Sequence, residues 1–228
     1  MRVNFDLIMT WLAVYEGGKV DHKKDPGGRT NRGVIQRVYN GYRQANGLSL
    51  KDVWEMSDDE HDDIYIEQYW RPVWGDRLPS GVDAAVFDYA VNSGVSRAVK
   101  VLQKCVGVQA DGIMGNVTLG AVLDYCKRRS AGELVIAICT ERMAFLKRLT
   151  VWPTFKGGWT RRVIGEHTGV QDDDIGVIDR AVRLSRNNPG VIPLPKGPVP
   201  GKAQGPVHVS ILEAIMAIIA ALFGRNVS

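Results

Sequence analysis

The sequence predicts a mainly α fold with one short β-hairpin. Apolar residues recur every three or four positions through six stretches of the chain, the spacing that gathers them on one helical face. Two-residue alternation, the mark of a half-buried strand, is unconvincing outside one Gly-rich ribbon at residues 15–34, YEGGKVDHKKDPGGRTNRGV. Apolar residues make up 45% of the 228 and charged residues 24%. Those are ordinary values for a globular chain with room for one good core or two small domains.

From the N-terminus, Leu7, Ile8, Trp11, Leu12 and Tyr15 share a face of the first helix, with Asn4 placed to cap it. MRVNFDLIMTWLAVYEGG resembles a secretion signal in outline, but Asp6 interrupts its apolar run and no small-residue cleavage site follows. It reads as the first helix of the mature fold. Ser57-Asp58-Asp59-Glu60 is a capping box opening a second helix through Tyr69 and Trp70. Val82, Ala85, Val86 and Tyr89 make a third; Val95, Ala98, Val99, Leu102 and Val106 a fourth. Leu119, Val122, Leu123 and Cys126 fit a fifth, and Leu134, Val135, Ile138, Phe145 and Leu149 a longer sixth. From about residue 166 the character changes to an acidic run and then a Pro/Gly-rich stretch, with six of the ten prolines in residues 187–206. Residues 166–206 therefore read as a linker. The last 22 positions, 207–228, read as a hydrophobic tail helix, apolar from 211 to 223 except for Glu213.

A net charge of +4, from 29 basic and 25 acidic residues, is too even for a nucleic-acid footprint. Cys105, Cys126 and Cys139 contain no CxxC pair, which argues against a disulfide framework or a zinc site. Each falls on an apolar helical pattern and reads as a buried, inert thiol. His22, His61, His167 and His208 are far apart with no HxxxH pair; no metal and no cofactor are expected.

The ribbon carries the candidate chemistry. Glu16 follows the last apolar residue of the first helix and precedes Gly17-Gly18, a helix stop. The negative end of the helix dipole lies beside it, and Trp11 and Tyr15 can desolvate it. Both effects disfavour ionisation. A glutamic acid kept protonated near neutral pH is the general acid that cleavage of a glycosidic bond requires. A second carboxylate normally activates water or steadies the oxocarbenium-like transition state. Asp25, heading DPGG, fits that role: Pro26 restrains it, and Gly27-Gly28 permit a turn back toward Glu16. Asp21 competes for it, and Thr30 offers a hydroxyl to orient a water. On spacing alone the commoner reading of Glu16 is an exposed helix-end glutamate, and Asp25-Pro26 can be a turn without chemistry.

EGG, then DPGG, then TNRGV resembles the N-terminal signature of glycoside hydrolase family 108, the peptidoglycan-cleaving muramidases of phages and bacteria. YWRPVWGDRLPSGVDAAVFDYAVNSG (residues 69–94) resembles the family's second block. VLQKCVGVQADGIMGNVT (101–118) resembles the accompanying peptidoglycan-binding module, and WPTFKGGWTRRV (152–163) the usual ending. The resemblance is colinear over about residues 4–165. It implies a lysozyme-like helical fold with a small hairpin or Gly-rich loop near the active site. It implies a catalytic region at 1–94 and a helical peptidoglycan-binding region at 95–165, able to form one compact unit with the first. It also implies Glu16 as catalytic acid. The Glu-x8-Asp-x4-Thr order is similar to the Glu, Asp, Thr set of phage-type lysozymes, whose last gap is one longer, so Asp25 and Thr30 are supported less firmly. Lys19 stands where an aromatic is common, which weakens sugar stacking at one subsite, and VIQ replaces an ITI-like stretch after Gly33.

Other features divide between structure and binding. Asn92 and Ser93 end a helix before Gly94, so capping explains them first, yet the family's NSG block often lies by the cleft. Asn92, Ser93, Trp70 and Tyr89 are the candidate saccharide-binding residues. Trp70 and Trp74 flank Arg71-Pro72, and ring faces suit sugars, although helical aromatics are more often core. DGIMGNVT (111–118) is a Gly-rich turn into a helix capped by Asn116 or Thr118, with a structural and a ligand role equally open. Arg161 and Arg162 are read by default as a solvated helix face, the other reading being contacts to muramyl or peptide carboxylates.

The expected activity is that of a peptidoglycan hydrolase, an N-acetylmuramidase acting on glycan strands and not on nucleic acid. The alternatives are a lytic transglycosylase with the same acid, and a non-catalytic wall-binding or virion structural protein. Without a recognisable signal peptide, the expectation is synthesis in the cytoplasm and action on the periplasmic wall after release or export by other proteins. The tail is shorter than the ~20 residues a bilayer span needs. It is expected to dock on a subunit or its own domain, or to seek a membrane surface. If it engages membrane, deleting residues 207–228 abolishes liposome binding and leaves activity on purified peptidoglycan; equal liposome retention with and without the segment retires the idea.

Overall fold

Phe5, Ile8, Met9 and Leu12 line the buried face of α1 (Phe5–Ala13), the stripe expected of an amphipathic helix. The computed structural model describes residues 4–13, 15, 18–19, 29–165 and 175–187. Glu16, Asp21, Asp25, the Pro-rich stretch from 188 onward and the apolar tail lie outside the described residues. Among the described residues the order is α1, a two-strand antiparallel hairpin of β1 (Thr30–Asn31) and β2 (Val34–Ile35), then eight further helices. The fold is mainly α and lysozyme-like, as expected.

Asn4 does more than the cap reading assigned to it. Its amide donates to Ser80 Oγ at 3.0 Å and to Asp83 Oδ2 at 2.7 Å, tying the start of α1 to the start of α4 (Val82–Ser93). After α2 (Gln36–Ala45), the predicted capping box opens α3 (Asp58–Tyr65): Glu60 N–H donates to Ser57 Oγ at 3.2 Å, and Ser57 N–H to Glu60 Oε2 at 3.0 Å. The helix then widens into a π turn, Ile66–Trp70, that turns both Tyr69 and Trp70 inward. α2 was not legible as a helix because its inward residues are Tyr39 and Arg43. Arg43 pairs with Glu60, so an ion pair stands where an apolar stripe would have given the signal.

α4 (Val82–Ser93) is the centre, with all twelve residues buried. α1, the π turn and a short turn at Gly75–Arg77 contact it, as do α5 (Val95–Val106), α7 (Ala131–Lys147) and α9 (Val177–Asn187). α6 (Asn116–Arg128) packs on α5 and α7, and α8 (Trp152–Val163) on α7 and α9. One hydrophobic cluster runs from Phe5 to Ala181 through both halves of the chain. Val86 and Phe87 are 0% exposed; each such side chain contributes roughly 1.5–3 kcal/mol through removal from water.

Three expectations need correction. The predicted linker 166–206 contains α9, whose Val177 and Ala181 are buried while Ile178, Val182 and Leu184 pack against the core. A short four-residue repeat between acidic and Pro-rich flanks was enough to build a helix. α6 starts from Gly115 without a side-chain cap; Thr118 Oγ1 instead accepts from Gln103 Nε2 at 3.1 Å, and Gln103 also binds Asp111 and Gly112 to hold the turn. Of the thiols only Cys139 is fully buried, with Cys105 and Cys126 half-buried. Burial still lifts them to about 12, 11 and 11, respectively. Among the described residues no helix is long and apolar enough to cross a membrane.

α4 buries two carboxylates with opposite habits. Burial pushes Asp83 up to about 6, against hydrogen bonds from Asn4 and from the Ala84 and Gly81 N–H groups. Burial also acts upward on Asp88, but the Arg162 and Arg142 guanidinium groups overcome it and hold that carboxyl below its ordinary 3.8. The signs follow from linkage. Asp88 adds stability above 3.8 that is lost as pH falls through its depressed folded value. Asp83 favours the fold below 3.8, and that contribution is lost as pH rises through about 6. Asp88→Asn should cost about 3–5 kcal/mol by leaving buried guanidinium charge uncompensated, read as a fall in Tm at neutral pH. Asp83→Asn should flatten the fall of Tm across the interval from 3.8 to about 6; an unchanged slope would refute the assignment.

Candidate active site

The polar ribbon ends in the hairpin, where Thr30 pairs with Ile35 and Asn31 with Val34. Its two-residue loop, Arg32-Gly33, has φ of 47° and 79°. Positive φ at both loop positions is the geometry whose twist matches a tight hairpin, and glycine fills the second at no steric cost. Arg32, which does carry a side chain, is held there by its surroundings. Its carbonyl accepts from Tyr65 Oη at 3.2 Å and faces His61 Nε2 at 3.2 Å. A carbonyl only accepts, so this contact is a hydrogen bond in the tautomer that carries its proton on Nε2. The other ring nitrogen faces Asp62 Oδ1 at 3.2 Å, and burial pushes the His61 pKa down. The Arg32 guanidinium meets Asp58 at 2.7 Å.

Residues 51–57 close the other side. Asn31 Nδ2 donates to the Val53 carbonyl at 3.0 Å and Trp54 Nε1 to the Thr30 carbonyl at 3.3 Å. Gln36 bridges the Lys51 carbonyl at 2.7 Å and the Val53 N–H at 2.8 Å. Arg29 pairs with Asp52 while its guanidinium lies 4.6 Å from the Trp54 ring centroid. The Trp54 N–H, and then Arg29, hold Asp52 below the usual carboxylate range. The Thr30 backbone is thus fixed by polar contacts rather than by apolar packing.

The C-terminal end of α1 arrives at a second cluster. Asp88 of α4 accepts from Arg142 Nη1 at 2.6 Å and from Arg162 Nε at 3.1 and 3.2 Å, while Arg142 Nη2 donates to Asn92 Oδ1 at 3.1 Å. Arg162 Cζ lies 5.4 Å from the Tyr15 ring centroid, and Arg180 Cζ 5.8 Å from that of Trp11. Burial raises the Tyr15 pKa, with the Arg180 charge pulling the other way.

Of the predicted site residues, Glu16 and Asp25 lie outside the described residues, and Thr30 sits on β1, partly exposed. The four candidate sugar-binding residues belong instead to the interior. Trp70 is 2% exposed, edge-to-face with Phe5 and Phe87 at 5.4 and 5.3 Å. Gly75 lies so close that an added Cβ would stand 2.3 Å from the Trp70 ring. Tyr89 is fully buried, with Arg142 Cζ 5.2 Å from its ring centroid, and burial lifts its phenol to about 12. Asn92 and Ser93 are buried side by side, Ser93 Oγ donating to Asn92 Oδ1 at 3.1 Å. Trp74 is half-buried in the left-handed region, φ 57°, with Arg77 Cζ 4.3 Å from its ring centroid. Arg162, read by default as solvated, is 5% exposed. The sequence signal for it was register: Trp152, Phe155, Trp159 and Arg162 fall at three- and four-residue steps along one face of α8. His61, Tyr65 and Trp54 carried no such signal, because their partners are backbone carbonyls.

A family model described as Glycosyl hydrolase 108 matches residues 9–94, and one described as Predicted Peptidoglycan domain matches residues 97–164. Chains of known structure that match number at least 12. One is Brucella abortus SagA, at 39% identity and a TM-score of 0.64, covering 82% of this chain and 98% of that one. No curated protein matches.

Removing both donors to the Arg32 carbonyl, in a Tyr65→Phe/His61→Ala double variant, should destabilise the hairpin by about 1 kcal/mol per bond. Hydrogen exchange at the amides of residues 31–35 should quicken accordingly; unaltered exchange there would remove the anchoring role.

Proposed function

The chain belongs to glycosyl hydrolase family 108 and is a glycoside hydrolase joined to a peptidoglycan domain, and from that premise we propose that it is an N-acetylmuramidase with Glu16 as general acid. The observation that carries the proposal is the match over residues 9–94: one block holds Glu16, Asp25 and Thr30 in the order of the family signature and ends its ribbon in a rigidly anchored hairpin.

In this reading the C–O bond from the sugar's anomeric carbon to the bridging oxygen breaks, and Glu16 gives its proton to the departing oxygen. Asp25 supports the oxocarbenium-like charge or activates the incoming water. Thr30, on a backbone clamped by Trp54 and Asn31, orients that water. Water supplies the hydroxyl that completes the new reducing end, and its remaining proton goes to the carboxylate that activates it, which restores the pair to one protonated and one ionised carboxyl once that proton is back on Glu16. The substrate lies in the cell wall, so the protein works there after release or export.

Glu16→Gln keeps the shape of the side chain and removes the proton it donates. The variant should fold with unchanged Tm and lose wall clearing in a zymogram by at least 100-fold, a typical loss for a missing general acid, which contributes ~10²–10⁴. Undiminished clearing would refute the assignment. Mass spectrometry of digested sacculi should give reducing muramyl ends; anhydro-muramyl products would reassign the chain as a lytic transglycosylase, and no soluble sugar would mark a binding protein.

A further inference from the structure

We propose that Arg162, in the stretch matched as a peptidoglycan domain, is a positioning residue for the catalytic region: it couples Asp88 of the central helix to Tyr15, the residue preceding Glu16. The proposal rests on the reading of Glu16 as the acid and extends it to a residue far along the chain.

The guanidinium of Arg162 has little freedom of its own. It is 5% exposed, its Nε reaches both Asp88 oxygens at 3.2 and 3.1 Å, and its Nη2 lies 3.0 Å from Oδ2. With Nε hydrogen-bonded to both oxygens and Nη2 in ion-pair contact, the planar group is held in direction as well as in place. Arg142 holds the same carboxylate from α7 at 2.6 Å. The group that meets Tyr15 is therefore part of the core, and its 5.4 Å approach to the ring centroid is within cation–π range.

Tyr15 is the point at which the chain leaves α1. Its N–H donates to the Leu12 carbonyl at 2.8 Å, and the next residue is Glu16. One turn earlier Trp11 receives Arg180 of α9 at 5.8 Å. The last turn of α1 has no basic residue of its own, so arginines from two later helices supply the cations that favour a helix C-terminus. Tyr15 is thus held from α8 and Trp11 from α9.

The contact is tested first by thermal unfolding, which needs no substrate. Arg162→Gln leaves Asp88 paired with Arg142 and is expected to fold; Tyr15→Leu removes the half-buried ring without touching the ion pair. The double variant should lose less Tm than the two single losses added together, and strict additivity overturns the coupling. On purified peptidoglycan, the full chain carrying Tyr15→Leu should lose about tenfold in kcat, as expected for a misplaced catalytic group, with KM within about twofold. Tyr15→Phe, which keeps the ring face, should recover most of that loss. Arg162→Gln should likewise lower kcat with KM within about twofold, whereas Arg162→Lys, which keeps the cation over the ring, should recover part of that loss. Full kcat in Tyr15→Leu or in Arg162→Gln overturns the positioning role. If the unaltered protein releases no sugar while Glu16→Gln behaves identically, the glycosidase reading fails and takes the catalytic half of this proposal with it; the unfolding result separates the two failures.

Discussion

One carboxylate inside α4 organises the molecule. Asp88 lies far from water and would be intolerable there alone. Two guanidinium groups, from α7 and α8, make it tolerable and hold it ionised. Two cations on one anion leave an excess of positive charge in the interior, and the neighbouring groups answer it: the Asn92 amide oxygen takes one N–H, and the rings of Tyr89 and Tyr15 face the guanidinium carbons. Pairs of this kind add little stability over an apolar replacement. What they impose is register, since each arginine fits only if its helix stands at one height and one rotation against α4.

The hairpin is held by a different constraint. Four residues of strand cannot be stable by themselves, and apart from Val34 little of the hairpin packs in the core. Its rigidity comes from side-chain donors aimed at backbone carbonyls: Tyr65 at Arg32, Trp54 at Thr30 and Asn31 at Val53. The side chains of the hairpin join in the same network, Asn31 on the Val53 carbonyl, Arg32 on Asp58 and Arg29 on Asp52, so polar contacts hold in place a segment with almost no apolar face.

This contrast decides what could be read in the sequence. Helices whose inward faces are apolar, such as α4, α5 and α7, were legible from periodicity because burial of side chains is what forms them. α2 was missed because Arg43 and Glu60 do the joining, and α9 because its stripe is short and flanked by linker-like composition. Arg162 shares its helical face with Trp152, Phe155 and Trp159, so register alone put it inside; its charge argued the reverse and prevailed. The same error ran the other way for Trp70, Tyr89 and Asn92, whose chemistry suits a sugar but whose positions on fully buried turns serve the core. Glu16 was singled out by its place at a helix stop, and only the wider pattern from EGG to WPTFKGGWTRRV raised it above an ordinary helix-end glutamate.

The two matched regions, 9–94 and 97–164, meet with no division in the core. α4 closes the first region and has all its residues buried, yet much of that cover comes from α5 and α7 of the second and from α9 beyond it. Small domains are marginal because so much of their surface stays wet; a catalytic region deprived of these helices would expose the face of α4 that carries Asp88 and Asn92. A module on a flexible tether could be exchanged without consequence for the fold of its neighbour. One that lends Arg142 and Arg162 to a buried carboxylate cannot, because the height of its helices against α4 is also the geometry that reaches Tyr15.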